Sequence, residues 1–328
     1  MNSGMNFLVA LKKWHTALLY SAEKAFQLEK KLIIVFGVFV FLVGCVALYL
    51  LPYRHHLPKT ELVIDGVTRE YYLFVPSDEA SSPSGLIITL QGGDADAGWR
   101  FPGQDEWEAI AEKENMIIAL PSGYTYGDNE GAWVLNTDAT AMQDINFFNQ
   151  MISDISVRHW VDTSRVYAVG YSLGSMFAYE LACHMSESFA AIASVAGTMP
   201  LNVKLCEQSR NVPIMHVHGV EDPIIAYGNS WEWKAWDSVG AMRDIPSLVD
   251  YWSEKYDCQS KVETIGQVIS HFAYSDCAQD ARVEHYRLER GAHDWPETLL
   301  GQPTSEVMWS FFNHYNLAGK KLRPNSAN

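Results

Sequence analysis

From Glu61 to Tyr315, short apolar, β-branched runs alternate with longer stretches whose apolar residues recur at three- and four-residue spacing. The first kind reads as strands and the second as helices. Residues 62–66 and 70–75 predict a hairpin turning at Asp65-Gly66, an antiparallel start to a sheet. After it, strands are expected over 86–90, 116–120, 166–169, 190–195, 212–218 and 283–288. Helices are expected over 107–114, 145–159, 175–182, 248–256 and 306–315. Alternating strands and helices predict an α/β fold, a mostly parallel sheet with helices on both faces. No repeat, low-complexity tract or internal linker interrupts the pattern, so 61–318 is expected to form one domain, with 319–328 as a frayed tail.

The amino-terminal region follows a different pattern. Residues 32–51 are twenty consecutive residues without a charge, long enough to cross a hydrocarbon core of about 30 Å as one transmembrane helix. Lys12, Lys13, Lys24, Lys30 and Lys31 precede this run, and only Arg54 and Lys59 follow closely. The positive-inside rule then places 1–31 in the cytoplasm and everything beyond Tyr53 outside, with 52–60 as a linker. A cleaved signal peptide is the weaker alternative, because the apolar run and the segment before it are both long for one. Leu42-Val43-Gly44-Cys45 resembles a bacterial lipobox, which gives a second alternative, a lipoprotein attached through Cys45. Residues 7–31 carry apolar side chains at helical spacing and read either as an amphipathic helix on the inner leaflet or as a cytoplasmic tail.

Composition sharpens this picture. A formal charge of −15 excludes nucleic acid as a partner, and 48% hydrophobic residues suffice for a substantial core. Cys183, Cys206, Cys258 and Cys277 form an even set in a region expected outside the cytoplasm, where disulfides persist. Spacing does not prove their connectivity; the local pairings Cys183–Cys206 and Cys258–Cys277, which close the smaller loops, are preferred. No C-x-x-C occurs and the acidic turn 127–130 lacks the spacing of a calcium loop, so no metal site is expected.

Candidate chemistry centres on Gly170-Tyr171-Ser172-Leu173-Gly174, which joins the predicted strand at 166–169 to the predicted helix at 175–182. G-x-S-x-G arises by chance in about one chain in ten of this length, but here it sits between a strand and a helix. That context defines the nucleophile elbow of α/β hydrolases, in which a tight turn holds the serine hydroxyl above the sheet. A serine hydroxyl needs a base, and the base needs a third group to fix its tautomer. In this fold the acid and then the histidine follow the serine, in loops after strands. The strand at 212–218 leads into Gly219-Val220-Glu221-Asp222-Pro223, making Asp222 the preferred acid and Glu221 the fallback. The strand at 283–288 leads through Gly291-Ala292 to His293, the expected base. His216 and His218 lie within a strand and read as core or supporting residues, while His271 and His285 fall in strand-like runs.

An oxyanion needs backbone donors, expected from Leu173 and from the loop Gln91-Gly92-Gly93-Asp94, with Gly93 favoured over Gly92. Trp231, Trp233, Trp236 and Trp295, with Trp133, are candidates for an aromatic substrate wall, and each can equally be a packing residue.

The elbow, Gly219 to Tyr227, Gly291 to Pro296, the stretch from Leu181 to Gly197 and the region around Cys258 and Cys277 together resemble the polyhydroxybutyrate depolymerase and feruloyl esterase family. The resemblance spans roughly Glu61 to Tyr315 and implies an α/β-hydrolase fold and a secreted serine esterase whose triad is Ser172, Asp222 and His293. The chain departs from that family at Gln91, where histidine is usual, at Glu221, where a smaller residue is usual, and at Ala292, where glycine is usual. A membrane-anchored, extracytoplasmic serine esterase acting without a cofactor on hydroxyalkanoate oligoesters or feruloyl and acetyl esters is therefore expected. The alternatives are a serine peptidase on the same fold and a catalytically silent binding protein.

Overall fold

The computed structural model describes residues 57–77, 81–93, 101–125, 132–228 and 239–320. Among the described residues no helix is long and apolar enough to cross a membrane. The apolar run at 32–51, with Cys45, and the acidic turn at 127–130 lie outside them.

A ten-stranded sheet organises the described region. It opens with β1 (Lys59–Ile64) and β2 (Val67–Phe74), an antiparallel hairpin turning at Asp65-Gly66. The strands β3 (Ser84–Leu90), β4 (Met116–Pro121), β5 (Val161–Tyr171), β6 (Ala191–Val195), β7 (Ile214–Gly219) and β10 (Val283–Leu288) form its parallel centre in the order β4-β3-β5-β6-β7-β10. An antiparallel hairpin of β8 (Ser260–Thr264) and β9 (Ile269–Ser275) closes the far edge beside β10. β8 is short, polar and mostly exposed, so it gave little hydrophobic signal in the sequence.

Helices cover both faces. Strands β3 and β4 are buried along their whole length, and both faces of β5 between Val166 and Gly170 are covered, which is why their sequences read as continuous apolar runs rather than alternating ones. Within β5, Val166 and Ala168 enter one core and Tyr167 and Val169 the other. The first core packs under α2 (Gln143–Arg158), α3 (Leu173–His184) and α4 (Ile245–Lys255). The second packs under α1 (Gln104–Glu114) and α5 (Thr304–Phe312). The helix expected over 306–315 stops at Phe312, and Tyr315–Asn316 turns instead into a small hairpin with Gly319–Lys320. The two disulfides are Cys183–Cys206 and Cys258–Cys277, the local pairings preferred from the sequence. Both bridge elements of the α3–α4 side, the first tying the end of α3 to the loop before β7.

One charged pair is buried beneath the first core. Arg69 of β2 donates to Asp144 at 2.7 Å and to the Ser122 carbonyl at 3.1 Å, and its guanidinium lies 4.2 Å from the Phe147 ring centroid. The second Asp144 oxygen accepts from the Val134 amide at 2.7 Å. Burial pushes the Asp144 carboxyl above its usual range, against the pull of Arg69. The pair thus anchors the hairpin and the loop before α2 at an electrostatic cost. Asp144→Ala removes the buried carboxylate that pairs with Arg69 and should lower stability by about 3–5 kcal/mol; urea unfolding at neutral pH measures it.

Candidate active site

Ser172 sits where β5 passes into α3, with φ 53° and ψ −121°, a positive φ that a serine rarely adopts. The strain is held by bonds on both sides. The Ser172 amide donates to Val195 O at 2.9 Å, and the Ser172 carbonyl accepts from Ser175 Oγ at 2.7 Å and the Met176 amide at 3.1 Å. The flanking glycines have a steric reason. A Cβ at Gly170 would lie 2.3 Å from Gly174 O, and one at Gly174 would lie 2.2 Å from Leu90 O.

The acid and the histidine come from neighbouring strands. β7 and β10 are parallel, with Gly219 opposite Leu288, so the loops leaving their carboxyl ends run side by side. Val220 N donates to Leu288 O and Glu221 N to Gly291 O, both at 2.9 Å. His293 Nδ1 lies 2.8 Å from Asp222 Oδ2, and His293 Nε2 lies 2.8 Å from Ser172 Oγ. Tyr171, the last residue of β5, donates its hydroxyl to the His293 carbonyl at 2.7 Å and holds that loop over the elbow. Because Asp222 is acceptor-only when ionised, Nδ1 of His293 carries the proton and Nε2 is left to accept from the serine hydroxyl. Glu221, the fallback acid, is exposed, and the imidazole bonds Asp222 instead.

Asp222 is 5% exposed. Burial alone would raise its carboxyl, but donors from His218, His293 and the amides of Ile225 and Ile224 outweigh that and hold it well below the usual carboxylate range. The two amides bond Oδ1 at 2.7 and 2.8 Å. The site therefore contains a carboxylate that stays ionised beside the imidazole.

Around the serine, the first amide of α3, Leu173 N, has no acceptor among the described residues. A Cβ at Gly92 would lie 3.0 Å from Ser172 Cβ and 3.2 Å from Tyr171 O, so this loop presses directly on the elbow, while Gly93 next to it has φ +27° and open space. Trp133 is fully buried, stacks on Phe177 at 5.0 Å and donates its indole N–H to Gln91 O at 3.1 Å. It is a core residue that fixes the Gln91 loop rather than part of a substrate wall. Trp295 packs edge-on against Phe101 with centroids 5.4 Å apart, and Trp231, Trp233 and Trp236 lie outside the described residues. A cavity of about 760 Å³ between β9, β10 and α5, lined by His271, Arg282, Glu284 and Tyr286 among others, contains none of Ser172, Asp222 and His293. Among the described residues, no group of three or more His, Cys, Asp or Glu side chains is placed to hold a metal.

A strand–elbow–helix serine with an acid and a histidine after later strands of the same parallel sheet defines the α/β-hydrolase fold. Comparison with known proteins agrees. The phospholipase/carboxylesterase family model matches residues 129–235, which include the elbow. A bifunctional acetylxylan esterase/xylanase of Neocallimastix patriciarum is 23% identical over 77% of this chain and 34% of its own length. A probable feruloyl esterase C of Aspergillus niger is 28% identical over 50% of this chain and 58% of its own length. The chain thus spans about a third to somewhat over half of these relatives. Among solved structures, an acetyl xylan esterase from Aspergillus awamori superposes with a TM-score of 0.53 at 14% identity, covering 78% of this chain and 99% of that one. The resemblance to feruloyl esterases read from the sequence is borne out in these relatives, and the structural match carries the fold.

Behind the acid lies a histidine cluster, two of whose members, His216 and His218, read from the sequence as core or supporting residues and the third, His285, as part of a strand. His216 and His218 of β7 and His285 of β10 are buried. His216 Nδ1 meets Tyr179 Oη at 2.7 Å, and His285 Nε2 meets Tyr227 Oη at 3.0 Å. Burial drives His216 well below the usual imidazole value and His285 down to about 3. In the unfolded chain both titrate near 6.5, so the unfolded state gains protons at a pH where the folded state does not. Their part of the stability is complete above about 6.5 and falls as pH drops from there toward 3. Below pH 6.5 each should steepen the loss by up to about 1.4 kcal/mol per pH unit. Urea midpoints at pH 7 and 5 should therefore fall less in His285→Gln than in the wild type.

Proposed function

We propose that this protein is a serine carboxylic ester hydrolase whose nucleophile is Ser172, general base His293 and acid Asp222. The observation that carries this is the unbroken chain Ser172 Oγ–His293 Nε2 and His293 Nδ1–Asp222 Oδ2, each 2.8 Å, on a positive-φ elbow. His293 removes the Ser172 proton as Oγ attacks the ester carbonyl, and Asp222 stabilises the imidazolium. The Leu173 amide and that of Gly93 stabilise the oxyanion. His293 then protonates the leaving alkoxide, and in the second half-reaction it activates water to release the acid from the acyl-enzyme. No cofactor takes part.

Acyl esters of the feruloyl and acetyl type are the proposed substrates, supported by the relatives that carry those activities in their names; hydroxyalkanoate oligoesters are the second class. Trp231, Trp233, Trp236 and Trp295 are proposed to face the acyl group. Fluorophosphonate should label the wild type and not Ser172→Ala, and Ser172→Ala should lose at least about ten-thousandfold in kcat on methyl ferulate or p-nitrophenyl acetate. Faster turnover of peptide amides than of esters would make the protein a peptidase, and absence of labelling in the wild type would make it a binding protein.

The proposed location is outside the cytoplasm, anchored by residues 32–51 with 1–31 in the cytoplasm. The charge-free run and the lysines before it support this, as do the two disulfides. In spheroplasts, protease added outside should digest the catalytic domain while leaving an amino-terminal tag intact. A size shift on inhibition of signal peptidase II would instead assign the chain to lipoproteins attached through Cys45, and recovery in the medium without residues 1–51 would assign it to cleaved secretion.

A further inference from the structure

We infer that His218 is a positioning residue for catalysis, tying the Asp222 loop to strand β7 and aiming the carboxylate at His293; this rests on the triad reading above. His218 is 1% exposed, one residue before the end of β7. Its Nε2 lies 2.8 Å from Ile225 O and 3.3 Å from Asp222 Oδ2. Both partners are acceptors, so Nε2 carries the hydrogen and shares it between them. The loop is thereby closed from two directions. Ile225 donates its amide to Asp222 Oδ1 at 2.7 Å, and the carbonyl of the same residue is held by His218.

The carboxylate then has a donor set with a direction. Oδ1 takes two backbone amides, and Oδ2 takes His293 on one side and His218 on the other. A carboxylate fixed only at Oδ1 can still swing its free oxygen out of the imidazole plane, and small errors of aim reduce rates strongly. The His218 ring has little freedom to move. It stacks on His216 with centroids 5.3 Å apart at 20° and meets the Tyr227 ring edge-on at 6.1 Å. The strand thus holds the ring, the ring holds the loop and the acid, and the acid orients His293.

Three variants test this. His218→Leu removes the donor; His218→Asn keeps a polar amide too short to reach both acceptors; His218→Gln places an amide N–H near the position of Nε2. Losing one hydrogen bond to a charged group corresponds to about a ten- to hundredfold fall in kcat. Leu and Asn should show it on p-nitrophenyl acetate with KM within about twofold, and the rate of fluorophosphonate labelling should fall in step, because positioning acts on the transition state. Gln should restore kcat to within about threefold of the wild type. Thermal melting is measured on all three. Wild-type kcat in a folded Leu or Asn variant overturns the inference, as does a Gln variant that melts like the wild type yet is as slow as Leu. A loss of kcat that tracks melting temperature across all three, without rescue by Gln, also overturns it by making the role structural. Failure of the triad reading has a separate signature: a wild type that is neither labelled nor active.

Discussion

The site depends on the parallel pairing of β7 with β10, carried past the end of the sheet by two hydrogen bonds between their loops. Val220 on Leu288 and Glu221 on Gly291 force two segments more than sixty residues apart to leave the sheet together. Asp222 and His293 are each only a few residues beyond that stitch, so their meeting follows from the register of the strands. The elbow two strands away supplies the serine at the same end of the sheet, and Tyr171 Oη on His293 O ties it to the histidine loop. None of the three loops could place its side chain alone.

Electrostatics sorts the buried groups by how many donors reach them. Asp222 is buried but ionised because four donors offset its desolvation. His216 and His285 are buried as deeply with few charges to favour the imidazolium, and they are driven the other way. Neutral His216 and His285 thus lie on the core side of the ionised acid, behind His218. His216 and His285 make the fold around the site sensitive to acid, since their neutrality is maintained only by folding.

Much of the architecture was legible because buried parallel strands write themselves as continuous apolar runs. The boundaries of β10 coincide with the expected strand, and those of β3, β4 and α3 differ by one to two residues. Exposed elements were harder to read. β8 is polar and solvent-facing, and α5 ends at Phe312 although a helix was expected as far as Tyr315, because Tyr315 is used by a hairpin and not by the helix. Ser172, Asp222 and His293 could be picked out because a tight elbow and short loops after strands limit which residues occupy them. Trp133 could not be placed, since an indole that packs in a core and one that faces a substrate have the same sequence appearance.

The sequence by itself determined the order of strands and helices, the elbow serine, the loops in which its partners lie, and a charge-free stretch at 32–51. All of these are local, set by periodicity, turn chemistry and hydropathy over a few neighbouring residues. The tertiary structure alone decided that Asp222 and not Glu221 meets the imidazole, that Trp133 grips the carbonyl of Gln91, and that His218 reaches Ile225 and Asp222. Those choices turn on which face of a loop is buried and on the distances between segments far apart in the chain. Only packing of the two cores against the sheet fixes such distances.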